Sequence, residues 1–180
     1  MPILGRGPYH VLVQCDVLNE VAEANEENNV LDIGQLTLGP CADLVISSGE
    51  IQPPAISPNV VTQVRFRVEN IGVCHTGSCW THVYLSPDNS YDPSDFLWIQ
   101  GIGVGPLGQG EAFDYSMMTQ PSFHDDVVQY LVPILGRGPY HVLVQCDVLN
   151  EVLESNEQNN ICDIGTLELP TRAGRWTLYR

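Results

Sequence analysis

Six cysteines, at positions 15, 41, 74, 79, 146 and 162, are the residues of this chain best suited to chemistry, whether as cross-links, metal ligands or nucleophiles. Cys74 and Cys79 bracket His-Thr-Gly-Ser, where Gly77 suits a tight turn, so a local disulfide is the expected reading. Zinc held by the same pair with His75 and His82 is the rival, but the second CxxC or HxxxH half that would make it specific is missing. Cys146 and Cys162 close one expected strand and open the next, in phase with Val142, Val144 and Ile164, and a bridge between them is expected first. Position 31, the counterpart of Cys162 in the repeat described below, is leucine, so a packed free thiol is the competing reading. Cys15 is expected to be reduced, and Cys41 has no obvious partner.

Two acidic segments could hold a hard cation. Residues 88–95 (DNSYDPSD) offer oxygens at Asp88, Ser90, Asp92 and Asp95, the donor type calcium accepts. The glycine and bidentate glutamate of an EF-hand are absent from that spacing, and a solvated hairpin turn explains it equally well. Residues 154–160 (ESNEQNN) form the second segment, with Asp147, Glu151 and Glu154 as calcium ligands beside the asparagines. The simpler expectation there is a wide turn whose Asn and Glu side chains bond their own backbone. Calcium is the only cofactor either segment suggests.

Catalytic constellations do not assemble. His10 and His141 occupy one repeat position and should point outward from strands, while His124 sits in a loop beside Asp125 and Asp126. Residues 101–110 (GIGVGPLGQG) have the glycines of a phosphate loop but no GK[ST] and no following helix, so they read as a turn. An enzyme is not expected.

The elements that position these residues are organised by a repeat. Residues 2–21 recur unchanged as 133–152, and the similarity runs on so that 2–38 matches 133–169 at an offset of 131. A repeat of domain length suggests a window on a tandem array: a partial repeat at 1–40, one complete domain at 41–170, and an arginine-rich tail or linker at 171–180. Period-two alternation dominates. In residues 61–69, Val64, Phe66 and Val68 face one side and Gln63, Arg65 and Arg67 the other, the pattern of a half-buried antiparallel strand. Further strands are expected near 43–47, 79–86, 96–100, 111–118, 140–146 and 161–169, with no long helical periodicity. Seven short strands with frequent turns predict an all-β immunoglobulin-like antiparallel sandwich, with an extra N-terminal β-hairpin.

Charge narrows the partners. Twenty-two acidic residues against seven Lys+Arg, all arginine, give a formal charge of −15, which repels nucleic acid and anionic membranes and attracts divalent cations. No apolar run reaches 18 residues and no signal-peptide pattern opens the chain, so membrane insertion is not expected. The cysteine usage favours an oxidising, extracellular setting.

The opening ADLVIS, the strand end VRFRVENIG, the segment HVYLSPDNSYDPSDFLW and above all the ending YHVLVQCDVLNEVLESNEQNN resemble the CARDB family, over about 41–170 and again at 2–38. The resemblance implies an immunoglobulin-like sandwich of bacterial and archaeal secreted or surface proteins, linked to cell adhesion, arranged in tandem and without catalysis of its own. The cysteines and the arginine-rich end depart from the family pattern. On this reading residues 2–38 form a hairpin with Val11, Val13, Cys15 and Ile33 on an apolar face, a donor for strand addition to a neighbouring copy. Head-to-tail addition would build a filament, with other copies of the chain as partners and a cell-surface ligand as a second partner class. The alternative is a carbohydrate- or ligand-binding accessory module of a secreted enzyme using Trp80, Trp98 and Tyr84, although both tryptophans suit a sandwich core.

Overall fold

The computed structural model describes residues 7–120 and 126–170. It has two units, Met1–Pro40 and Cys41–Arg180. His124, Asp125 and the tail at 171–180 lie outside the described residues.

The first unit is a hairpin of β1 (Gly7–Gln14) and β2 (Val30–Leu38), antiparallel from Gly7 opposite Leu38 to Gln14 opposite Val30. Its register slips between His10 and Leu12, where Gly34 takes φ +126°, a conformation that a side chain would strain. A single 3₁₀ turn at Glu26–Asn28 sits in the connection, capped by Asn25, whose side chain accepts from the Glu27 amide.

The second unit is a sandwich. Strands β3 (Leu44–Gln52), β4 (Gln63–Asn70) and β7 (Ala112–Met118) form one sheet in the order β3–β4–β7. Strands β5 (Cys79–Ser86), β6 (Phe96–Val104), β8 (Pro139–Gln145) and β9 (Ile161–Glu168) form the other, ordered β6–β5–β8–β9. All pairings within the sheets are antiparallel. The alternation of β4 becomes burial: Val64, Phe66 and Val68 enter the core with Leu44, Val83, Leu85, Val142, Val144 and Leu167, while Arg65 and Arg67 point out to Glu50 and Asp114. The sheets meet closely at Gly49, where a Cβ would stand 2.2 Å from Ile164 Cγ2. The Tyr140 hydroxyl donates back to the Leu135 carbonyl, the tyrosine corner of immunoglobulin-like sandwiches. The expected all-β, seven-stranded architecture is the observed one.

Several local expectations are corrected. Cys74 is bonded to Cys41, with Cα atoms 5.3 Å apart, and not to Cys79. The cause is register: β3 and β4 pair Leu44 with Asn70, and the alignment continues past both strand ends through Ile71 N to Asp43 O (2.8 Å) and Val73 N to Cys41 O (2.7 Å). Cys79 instead starts β5 pointing into the core as a free thiol. Cys146 and Cys162 are also free. Cys162 stands opposite Val144, one diagonal step from Cys146, and a diagonal Cα separation of roughly 7–8 Å exceeds disulfide reach. Strand β3 runs through Gly49 to Gln52, and β6 runs on to Val104 across the first glycines of residues 101–110. A short helical segment, π-type over Val127–Leu131 and α-type over Val132–Leu135, was not expected. Trp80 is 42% exposed on the outer face of β5, because Cys79, Thr81, Val83 and Leu85 take the inner one, whereas Trp98 packs against the core as expected.

Candidate functional site

The connection from β8 to β9 gathers the acids. Asp147 follows β8 in a left-handed conformation (φ +48°), and its carboxylate accepts from the amides of Glu151 (2.9 Å) and Val152 (3.0 Å). That turn sends the chain across to β3, where Glu154 pairs with Ala42 and Ser155 N donates to Ala42 O at 2.8 Å. One Glu154 oxygen accepts from the Leu44 amide and the other from Asn160 Nδ2 at 2.6 Å. The Glu154 amide in turn donates to Glu157 Oε1 at 3.0 Å. As a result one oxygen each of Asp147, Glu154 and Glu157 lies within 4.8 Å of the others, the first two buried and the third exposed.

Burial sets the electrostatics here. It raises the Glu154 carboxyl to about 7, against the opposing pull of the Leu44 amide and the Asn160 side chain. It also raises Asp147, partly offset by the Glu151 and Val152 amides. Among the described residues, no arginine or histidine forms an ion pair with the trio. The neighbouring thiols are poor nucleophiles. Burial pushes Cys79 to about 11 against an opposing backbone hydrogen bond at Asp147, with the nearby carboxylates adding to the rise, and Cys146 is raised by burial as well. Such a site can hold a hard cation or a proton; it does not activate a thiol. The sequence pointed to Asp147 and Glu154 here, Glu151 supplies only its amide, and Glu157 was missed because its approach depends on the fold of the loop.

The other acidic segment does not converge. Asp88 accepts from Ser90 N at 2.8 Å, Asp92 from Ser94 N at 2.8 Å and Asp95 from Asp92 N at 2.8 Å. Each carboxylate thus closes a local turn and Ser90 bonds through its backbone, and among the described residues Asp88, Asp92 and Asp95 do not form a close acidic trio.

The duplicated segment provides an internal control. Asp16 accepts from Glu20 N and Val21 N at 2.8 and 3.1 Å, and Glu26 from Glu23 N at 2.9 Å, repeating the bonds of Asp147 and Glu157. His10 bonds Asp32 at 2.5 Å as His141 bonds Asp163 at 2.6 Å. Local structure is therefore encoded by the segment itself. Burial is not. Val142, Leu143 and Val144 are fully buried, while Val11, Leu12 and Val13 are 37%, 60% and 51% exposed. Ile33 is 60% exposed, and the Cys15 thiol is exposed and free. Among the described residues Asp16, Glu23 and Glu26 do not form a close trio, because the amide equivalent to that of Leu44 is not there to draw in Glu23.

The histidine–aspartate pair is a feature that sequence reading passed over. Ser86 stands across from His141 in the strand register, which brings a serine, a histidine and an aspartate onto adjacent strands. The Ser86 hydroxyl is engaged by Ser90 O (3.4 Å) and Asp88 N (3.3 Å), and the same His–Asp pair forms at His10, where β2 is the paired strand. The pair is a property of the repeat and needs no serine.

Residues 41–163 match the model of the CARDB family. No curated protein matches the chain. Among solved structures, the chain is similar to the CARDB domain of the PF1109 protein from Pyrococcus furiosus, which was solved in complex with di-metal ions (22% identity, 73% of this chain and 96% of that one, TM-score 0.48). It is also similar to a 272–376 domain of a Methanosarcina acetivorans protein described as cell-surface (18% identity, 77% and 99%, TM-score 0.48). A weaker likeness is to β-glucosidase 3B from Thermotoga neapolitana (17% identity, 71% of this chain but 17% of that one, TM-score 0.40).

Proposed function

The chain belongs to the CARDB family, and we propose that it is a non-catalytic module of an extracellular, cell-surface protein whose units are joined by strand complementation. The observation that carries this reading is the opposite burial of one sequence in two places. Full burial of a valine or leucine side chain contributes about 1.5–3 kcal/mol. Strand β1 therefore forgoes several kcal/mol that its duplicate β8 gains, and a lone two-stranded hairpin is marginal in water. Hairpin β1–β2 is built to occupy the place that β8–β9 occupies, on strands of the β3–β7 type.

In the sandwich of the same chain that place is taken by β8–β9. Glu168, at the end of β9, pairs with Ala55, whereas the start of β3 lies beside Glu154 at the opposite end of the sandwich. A seated β1–β2 would finish roughly 26 Å from the start of β3, the length of eight strand steps. The six steps from Leu38 to Leu44 reach at most about 22 Å. This estimate favours complementation by another copy. Each copy carries two hairpins and one place for them, so the best host is a unit whose own terminal pair is absent or displaced. Host units in one long polypeptide give a tandem array; hosts on other copies give a head-to-tail filament.

Catalysis is disfavoured by the local engagement of the Ser86 hydroxyl with Ser90 O and Asp88 N, by the repetition of the His–Asp pair and by the raised thiols. A carbohydrate-binding role finds support in the exposed Trp80, which shares a groove with His82, Gln100 and Leu149. It is weakened by Trp98, which packs inward, and by Tyr84, which is buried and covered by Tyr91 at a 5.0 Å ring distance. Deleting residues 1–40 tests the connector role by analytical ultracentrifugation. The remaining chain is expected to be a folded monomer that no longer associates with a host unit lacking its own β8–β9, whereas the full chain does associate with it. Equal association of both would remove the hairpin from the account.

A further inference from the structure

We infer that Asp147, Glu154 and Glu157, with the Asn160 side-chain oxygen, form a binding site for one divalent cation of the calcium class. The geometry of the trio comes first. Oxygens spaced by up to 4.8 Å fit across a calcium coordination sphere, whose diameter is twice a Ca–O distance of about 2.3–2.6 Å. Acceptor capacity comes second. A carboxylate has about four lone-pair sites, yet Asp147 and Glu154 each receive two hydrogen bonds and Glu157 one. Lone pairs therefore remain on all three carboxylates, and among the described residues no cationic side chain pairs with them.

Asn160 is the independent observation. Its amide nitrogen donates to Glu154 Oε1 at 2.6 Å, which fixes the orientation of the group beside the cluster. Its Oδ1 is buried and has no hydrogen-bond partner, in a residue only 8% exposed. A buried carbonyl oxygen left unpaired costs free energy, and a cation shared with the carboxylates would satisfy it. Asn160 also lines, with Asp147 and Glu157 but not Glu154, a cavity of about 240 Å³. All donors are oxygen and three are anionic, which selects a hard ion over zinc or copper.

The duplicate hairpin separates this site from general acidity. Asp16, Glu23, Glu26 and Asn29 are the same residue types at the same spacing, but among the described residues their carboxylates do not form a close trio. The site is thus assembled by the docking of the β8–β9 loop on the Leu44 amide, and a bound ion would brace that seam.

The test is calcium titration of the full chain by calorimetry and thermal melting, at ionic strength matched with NaCl and with MgCl₂ as comparator. One calcium per chain is expected, with Kd on the order of 10⁻⁴–10⁻³ M, as in extracellular modules, and a melting temperature several degrees higher than in EDTA. Glu157→Gln, at an exposed position that should leave the fold intact, is expected to weaken binding at least tenfold, whereas Glu26→Gln in the hairpin leaves it unchanged. The proposal is overturned by a calcium effect no larger than that of matched NaCl, or by equal losses in the two variants.

Discussion

Replacing Cys41 and Cys74 together by alanine removes the cross-link of the sandwich, and the size of the effect follows from its span. The bond joins residues 33 apart in sequence. In the chain-entropy model, closing a loop of that length restricts the unfolded chain by about 12.5 cal/mol/K, or ~3.7 kcal/mol at 25 °C. The bonds from Ile71, Val73 and Cys74 to Asp43 and Cys41 hold the same segments together in the folded state, so the variant should still fold, only less stably. With a urea m-value of about 1.5 kcal/mol/M, the unfolding midpoint falls by roughly 2–3 M. Adding reductant to the unsubstituted chain should produce the same fall, and adding it to the double variant should produce none. A midpoint indifferent to reductant in the unsubstituted chain, or a Cys74–Cys79 or Cys146–Cys162 peptide in a non-reducing digest, would refute the assignment.

Gly72→Ala should destabilise the sandwich by about 3 kcal/mol or prevent folding, since its Cβ would lie 2.4 Å from Cys41 O and 2.5 Å from Asp43 N, both backbone atoms. Gly77→Ala, with open space around it, should change urea stability by less than about 0.5 kcal/mol. Asn70→Ala should cost roughly 3 kcal/mol, because this fully buried side chain serves the carbonyls of Cys74, Leu107 and Gly108 and the amides of Asp43 and Gly72. Alkylation of the native protein near pH 8, followed by mass spectrometry, should label the exposed Cys15 first and spare Cys79 and Cys146; rapid labelling of Cys146 would contradict its burial. Trp80→Ala should leave the fold intact, and a loss of glycan binding in that variant would revive the carbohydrate reading.

The fold was legible where alternation had one interpretation. Strand β4, with valine and phenylalanine against arginine and glutamine, showed its inner face directly, and so did the seven-strand count. Strand β5 did not, because CWTHVYLS offers two plausible faces, and the sheet chose Cys79, Thr81, Val83 and Leu85 over the larger aromatics. Cys41–Cys74 was hidden because it depends on a register that persists beyond two strand ends, information carried by pairing and not by spacing. Residues 127–135 lack a full helical period and contain Pro133, so their helical turns arise from tertiary context. The acidic site was half legible: Asp147 and Glu154 stood out by type, but their convergence with Glu157 requires the Leu44 amide, more than a hundred residues away. The hairpin is the reverse case, in which local structure follows from sequence and burial does not.

Strand complementation is tested most directly by ending the chain after Leu135, which leaves one β1–β2 hairpin and one vacated place on β3–β7 per molecule. On the proposed reading each hairpin should enter the next molecule. Sedimentation should then show head-to-tail oligomers with native β-sheet circular dichroism, abolished when Val11 and Val13 are both replaced by aspartate. A truncated chain that remains an unfolded monomer, or that oligomerises equally well with the two aspartates, would contradict the account.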